Sequence, residues 1–165
     1  NVNIGLWLDQ ETTPDKKIKL LELLNDIKDP VRKMDLLITA KNFVCPSLFM
    51  AEELKRNGSR TWVYQFNRVR DNELAQKYGA FHGAELPYVF DTHDQWLPTN
   101  KADKVLTEQI QSYWLSFAKT GDPNNDGVVV WPEYESSNDS TLVLDNEIYQ
   151  RSHESSEICK IMDLF

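Results

Sequence analysis

The sequence predicts an α/β fold that is rich in helices and has a few short strands. Apolar residues recur at helical spacing from Leu106 to Phe117, which indicates a long amphipathic helix. The run Thr61–Phe66 is rich in β-branched and aromatic residues, which favour a strand. The chain has 165 residues, enough for one domain with a hydrophobic core. No repeat or linker divides it, so we expect residues 1–165 to be one segment of a single domain.

Helix-start signals mark the first third of the chain. Thr13-Pro14 has the form of an N-cap followed by proline in the first turn, and a stripe of Leu and Ile residues follows it. Asp29-Pro30 repeats this signal for a second, short helix. Pro46 opens a third helix, which Gly58 is placed to end in a left-handed conformation.

The remaining elements are shorter. Residues Asp71–Tyr78 form a loop or a short helix, and Leu86–Phe90 form a short helix or a packed loop, since Pro87 excludes a central strand. Val128–Trp131 and Thr141–Leu144 are predicted to be extended. From Glu147 onward we expect a helix. Its predicted inward-facing residues are Ile158, Ile161, Met162 and Phe165.

Charge and hydropathy exclude several classes of partner. The net charge is −8, which argues against a nucleic-acid or anionic-membrane partner, because both require a basic patch. We find no apolar run long enough to span a bilayer and therefore expect no membrane span. The chain starts at Asn1 without an initiator Met or a signal-peptide pattern, so we expect a mature, processed or excised segment.

His82 is the residue that most directly suggests chemistry. It stands between small residues and is followed by an apolar run, so it can be exposed at the mouth of a site. Imidazole is the side chain best suited to moving protons near neutral pH. A lone histidine is more often structural, and its neighbours therefore decide how it is interpreted.

A serine nucleophile is not evident in this sequence. Serine hydrolases of the α/β type place the serine in a G-x-S-x-G turn, where glycines allow the backbone to pass closely. The only glycines with this spacing are Gly79 and Gly83, and Phe81 stands between them. A chain with a catalytic histidine but no such turn fits the last part of an enzyme whose triad runs serine, acid, histidine.

Five segments, in this order, resemble the type-B carboxylesterase and cholinesterase family. They are Asn42-Phe-Val-Cys-Pro46, Thr61-Trp-Val-Tyr-Gln-Phe66, Phe81-His-Gly-Ala-Glu-Leu-Pro-Tyr-Val-Phe90, Tyr113-Trp-Leu-Ser-Phe-Ala-Lys-Thr-Gly-Asp-Pro-Asn124 and Trp131-Pro-Glu-Tyr134. The third resembles the segment that carries the family's catalytic histidine. Together the segments identify a resemblance that covers roughly residues 36–162.

The resemblance implies both a fold and an activity. The fold is the C-terminal portion of an α/β-hydrolase, with most of its sheet supplied by another chain or segment. His82 would be the base of a serine carboxylesterase, with the serine and the acid on an N-terminal chain or segment of the same esterase. Glu85 resembles a structural residue of the histidine loop rather than the triad acid. The substrate would be a small ester, no cofactor or metal is implied, and residues 1–165 alone would be inactive.

The two cysteines and two sequons bear on location. Spacing alone leaves open whether Cys45 and Cys159 are free buried thiols, but the resemblance implies that they form a disulfide. Asn57 and Asn138 begin N-x-S sequons and are candidate glycosylation sites. A disulfide and glycans imply a secreted or extracellular protein, or one in the lumen of the secretory pathway.

Two other interpretations stay open at this stage. A non-catalytic member of the same fold could serve as an adhesion or binding module after losing its serine. Asp122-Pro-Asn-Asn-Asp-Gly127 followed by Glu133 also matches a calcium-loop pattern. A turn rich in Asp and Asn explains the same residues, and Pro132 is a poor start for the helix that should follow a calcium loop.

Overall fold

A computed structural model describes residues 3–93, 98–135, 137, 140–152 and 156–164. The chain divides into two compact units. The first unit comprises Asn1–Thr61, Glu135–Asp139 and His153–Phe165, and the second comprises Trp62–Tyr134 and Ser140–Ser152. That residues 1–165 are one segment of a single domain stays a prediction.

Helices dominate both units, as the sequence predicts. The helices are α1 (Ile4–Glu11), α2 (Pro14–Leu23), α3 (Pro30–Thr39), α4 (Cys45–Arg56), α5 (Glu73–Tyr78), α6 (Leu86–Phe90), α7 (Lys101–Thr120) and α8 (Ser156–Met162), and the strands are β1 (Tyr64–Phe66), β2 (Ser140–Leu144) and β3 (Tyr149–Ser152).

Helix starts in the first unit follow the local signals. Helix α2 begins at Pro14, directly after Thr13, as predicted. Asp29 precedes α3, and its side chain accepts a hydrogen bond from the Val31 amide over 2.9 Å. The helix α1 was not predicted. It begins after Asn3, whose side chain accepts a hydrogen bond from the amide three residues later, and this capping residue is the signal that the sequence contains.

The helices α3 and α4 join through a π-helical turn, Ala40–Val44. The continuous helical stretch Pro30–Arg56 is long and apolar enough to cross a membrane by length and composition, contrary to the expectation that no run qualifies. One such helix is weak evidence for a membrane segment, because packed core helices meet the same criteria. Here Leu37, Ala40 and Cys45 are fully buried in the core of the first unit.

A disulfide crosses the core of the first unit. It joins Cys45 at the start of α4 to Cys159 in α8, with the Cα atoms 5.5 Å apart. Both cysteines are fully buried. This bond confirms the pairing that the resemblance implied and excludes two free thiols.

The second unit contains a three-stranded sheet in the order β1-β2-β3. The strands β1 and β2 are parallel, whereas β2 and β3 are antiparallel. The predicted helix from Glu147 is wrong in its first part, because Tyr149–Ser152 pairs with β2 and the helix starts only at Ser156. Val128–Trp131 contains no strand, and Trp131 instead packs in the core of this unit.

The long helix α7 packs its apolar face into the core of the second unit. Leu106, Ile110 and Tyr113 are buried there with residues of α6 and β2, as the helical spacing predicts. Phe117 was predicted on the same face but is about half exposed. Gly121 ends the helix with φ 76°, a left-handed conformation that favours glycine.

Candidate active site

His82 is exposed in a turn between α5 and α6. Its neighbour Gly83 has φ 87°, and Gly79 at the end of α5 has φ 66°, so the chain enters and passes the histidine in conformations that favour glycine. The Glu85 carbonyl accepts hydrogen bonds from the amides of Tyr88 and Val89, which starts α6 directly after the turn. The local sequence therefore presents His82 at the surface of this unit.

A cavity of about 210 Å³ adjoins the turn. Phe81 and Gly83, on either side of the histidine, border this cavity together with Leu86. Two buried arginines, Arg68 and Arg70, lie in its wall. The histidine turn thus borders a mainly apolar space with two cations beneath the surface.

Both arginines belong to a buried polar network in the second unit. Asp103, which is fully buried, accepts hydrogen bonds from Arg68 Nε over 2.7 Å and from the Tyr88 hydroxyl over 2.8 Å. Burial raises the pKa of Tyr88 to about 12, and the hydrogen bond to the Asp103 carboxylate adds to the effect. Burial alone would raise the pKa of Asp103, but the hydrogen bonds from Arg68, Asn100 and Tyr88 outweigh it and lower the pKa. The carboxylate is therefore ionised near neutral pH, and both of its oxygens accept hydrogen bonds.

His93 completes the network, and its partners determine its tautomer. Arg70 Nη2 lies 3.2 Å from His93 Nδ1, and Thr107 Oγ1 lies 2.8 Å from His93 Nε2. Because a guanidinium can only donate, Nδ1 accepts. Thr107 donates its own proton to the Asp103 carbonyl, so it accepts from Nε2–H. Burial, with the nearby charges of Lys104 and Arg70, lowers the pKa of His93, so this histidine is neutral.

The other predicted site residues lie elsewhere. Asn57 is exposed at the end of α4, in the first unit, and its side-chain amide donates to the Glu53 carbonyl over 2.7 Å. Asn138 lies outside the described residues. The roles assigned to His82 as a base and to both asparagines as glycan acceptors stay predictions.

The candidate calcium loop is an ordinary turn after α7. The Asp122 side chain accepts hydrogen bonds from the Asn124 backbone amide and side-chain NH₂, and the Asn124 side-chain oxygen Oδ1 accepts from the Trp131 amide. These oxygens therefore organise the turn. In the part of the chain that the structure describes, no group of three or more His, Cys, Asp or Glu residues is placed to hold a metal ion. The geometry supports the turn rather than the calcium interpretation.

The sequence reasoning missed Asp103 and its partners. A signal was present, because Asp103 lies three residues before Leu106 and seven before Ile110, on the apolar face of α7. A carboxylate on a buried helix face requires a buried cation or several donors. The two arginines of Arg68-Val-Arg70 follow a predicted strand and were the candidates to supply them.

Comparison with known proteins identifies the family. The model of the carboxylesterase family matches residues 15–161. The chain is 39% identical over 101 residues to the para-nitrobenzyl esterase of Bacillus subtilis, and the aligned region covers 58% of this chain and 20% of that protein. It is 28% identical over 150 residues to the acetylcholinesterase of Bungarus fasciatus, and the aligned region covers 86% of this chain and 22% of that protein.

Comparison with solved structures points to the same family fold. A structure of PNB esterase superposes with a TM-score of 0.71 at 28% identity, over 87% of this chain and 30% of that one. A carboxylesterase of Geobacillus stearothermophilus superposes with a TM-score of 0.76 at 21% identity, over 96% of this chain and 34% of that one, and supports the fold alone. The chain thus spans about a fifth of these curated relatives and about a third of these solved chains. It belongs to the carboxylesterase family and carries part of that family's α/β-hydrolase fold.

Proposed function

We propose that this chain supplies the general base, His82, of a serine carboxylesterase. The observation that carries the proposal is the family match over residues 15–161, which includes His82 in an exposed turn beside a cavity. The serine and the acidic member of the triad lie on an N-terminal chain or segment of the same esterase, outside residues 1–165. The substrate is a small carboxylic ester.

The reaction proceeds through an acyl-enzyme in two proton-balanced halves. His82 accepts the serine proton as the serine oxygen bonds to the ester carbonyl carbon, and it then gives that proton to the leaving alcohol. In the second half it accepts a proton from water as the hydroxide attacks the acyl group, and it returns the proton to the serine as the carboxylic acid leaves. No cofactor or metal takes part in this scheme.

Two features of the second unit support a companion segment. Within the described residues, β1 is an edge strand, with β2 on one side. Near the histidine, Leu86 and Phe90 are at least half exposed, although both are large and apolar. Because half or more of each side chain is still exposed, burying the rest against another segment is favourable by about 1–2 kcal/mol each. The disulfide also favours an oxidising compartment, so we place the protein outside the cell or in the secretory lumen.

An ester-hydrolysis assay tests the proposal by comparing residues 1–165 with the complete protein expressed from the full coding sequence. Residues 1–165 alone are expected to release no p-nitrophenol from p-nitrophenyl acetate above the buffer rate, and to take up no fluorophosphonate serine probe. In the complete protein, His82→Gln should lower kcat/KM by at least about 10³-fold, since the serine loses its base. His153→Gln is the control and should retain full activity, because the family resemblance assigns no catalytic role to His153.

Three outcomes would count against the proposal. Probe labelling of residues 1–165 alone would place the nucleophile within this chain. More than about a tenth of wild-type activity in His82→Gln would remove the base role. A complete protein that neither labels nor hydrolyses esters would favour the binding-module interpretation instead.

A further inference from the structure

We propose that Tyr88 is the positioning residue for His82. It would act by holding α6, and with it the histidine turn, against the buried Asp103 of α7. This inference rests on the proposed function, because it assigns His82 the task of the base. It concerns residues that are not expected to touch substrate, so Tyr88 is a positioning residue and not a catalytic one.

The Tyr88 side chain is held from several directions. Its hydroxyl donates to Asp103 Oδ1 over 2.8 Å and accepts from Arg70 Nε over 3.3 Å. The Arg70 guanidinium also lies 5.4 Å from the centre of the Tyr88 ring, and the Phe66 ring of β1 packs at 5.0 Å. The tyrosine is almost completely buried, so its ring and its hydroxyl are both restricted.

Asp103 is itself rigidly placed. It lies in the first turn of the 20-residue helix α7 and forms a capping box with Asn100. Its second oxygen, Oδ2, accepts a hydrogen bond from the Asn100 amide over 2.9 Å, while Oδ1 also receives Arg68 Nε over 2.7 Å. The carboxylate that receives the Tyr88 hydroxyl is therefore held by a helix end and a buried cation.

The backbone transmits this restraint to His82. The Leu86 amide donates to the Gly83 carbonyl over 3.1 Å, and the Tyr88 amide donates to the Glu85 carbonyl over 2.9 Å. These bonds join the turn to the first residues of α6. A shift of Tyr88 therefore moves the turn that carries the histidine.

A cavity lies beneath the histidine turn. The cavity of about 210 Å³ is bordered by Phe81, Gly83 and Ala84 of the histidine segment and by the ring of Tyr88. Because this space is open, a shift of α6 that carries the turn toward it meets little steric resistance there. A displacement of the reacting group by about 1 Å can cost on the order of 100-fold in rate.

The test compares Tyr88→Phe with Tyr113→Phe in the complete enzyme. Tyr113 is a matched control, since it is fully buried in the same unit and its hydroxyl donates to the Val129 carbonyl over 2.6 Å. At temperatures where both variants are folded by circular dichroism, Tyr88→Phe should lower kcat at least about tenfold with KM changed less than about twofold. Tyr113→Phe should leave both constants within about twofold. Equal effects of the two substitutions on kcat would overturn the proposal.

A second readout does not depend on turnover. In the complete enzyme, the ring C–H resonances of His82, assigned with His82→Gln, should shift or broaden in Tyr88→Phe and stay in place in Tyr113→Phe. Unchanged His82 resonances in Tyr88→Phe would overturn the positioning role. If Tyr88→Phe does not fold, Arg70→Lys replaces it. It keeps the tyrosine but loosens its second partner, and an unchanged kcat and an unchanged His82 spectrum would again overturn the proposal.

The two proposals fail in different ways. An active His82→Gln enzyme would overturn the proposed function, and the positioning of a base with it, whatever Tyr88→Phe does. An inactive His82→Gln enzyme together with a fully active, folded Tyr88→Phe enzyme would overturn the positioning role alone.

Discussion

Replacing Asp103 by Asn is expected to destabilise the second unit by about 3 kcal/mol. The carboxylate is fully buried and accepts hydrogen bonds from Arg68, Tyr88 and the Asn100 amide at 2.7–2.9 Å. An amide of the same shape keeps one acceptor oxygen but loses the charge that compensates Arg68. It also places an NH₂ group against the Asn100 amide, so that one donor faces another.

The magnitude follows from these contacts. Breaking a buried ion pair by removing one partner costs about 3–5 kcal/mol, and a hydrogen bond to a charged group is worth about 1.5–3 kcal/mol. Arg68 keeps a second partner, Asp71, at 3.1 and 3.2 Å, which places the expected loss at the lower end of the range. For a chain of this size the change corresponds to a decrease in Tm of roughly 6–12 °C.

Urea unfolding at pH 7, followed by far-UV circular dichroism, measures this loss as a change in midpoint at constant slope. Asp71→Asn is the control, because Asp71 contacts the same arginine from an exposed position and should cost clearly less. Adding Arg68→Met to Asp103→Asn should cost less than the sum of the single changes, since no unpaired buried charge remains. The reasoning is refuted if Asp103→Asn costs less than about 1 kcal/mol or no more than Asp71→Asn.

Three further predictions concern other parts of the chain. Replacing Cys45 and Cys159 together by Ala should lower the free energy of unfolding by about 5 kcal/mol, since the disulfide closes a loop of 114 residues. A loss below about 2 kcal/mol in urea unfolding would contradict this estimate from loop-closure entropy. The folded-state pKa of His93 is lowered, so its stabilising contribution is present above about pH 6.5 and is lost as the pH falls. The urea midpoint should therefore decrease more from pH 7.5 to pH 5 in the wild type than in His93→Gln, and equal decreases would refute the assignment of a neutral imidazole. On expression through a secretory pathway, glycosidase treatment should reduce the mass of the wild type by one more glycan than that of Asn57→Gln, and an identical mass change would show that this sequon is unused.

Local signals in the sequence predicted helix starts well. Asp29-Pro30 and Gly58 act through their own backbone and nearest neighbours, so the elements that they begin or end are found where expected. The helix α7 was predicted because its apolar period is a property of the segment alone.

Long-range pairing could not be predicted in the same way. Tyr149–Ser152 was expected to be helical, yet it forms β3 because β2 offers an antiparallel partner. Only three residues of the predicted strand Thr61–Phe66 pair with β2. A strand requires a neighbour that is distant in sequence, and propensity does not reveal which neighbour is available.

The candidate site likewise has features that the sequence alone predicted and contacts that only the tertiary structure showed. The segment around His82, and the absence of a G-x-S-x-G turn, are properties of the sequence alone, and they led to the carboxylesterase family that residues 15–161 match. Only the tertiary structure showed that Tyr88 and Asp103 meet at 2.8 Å and that His93 lies neutral beside Arg70. These contacts join residues from separate elements, and hydrogen bonds and desolvation depend on distances that the chain acquires only when it is packed.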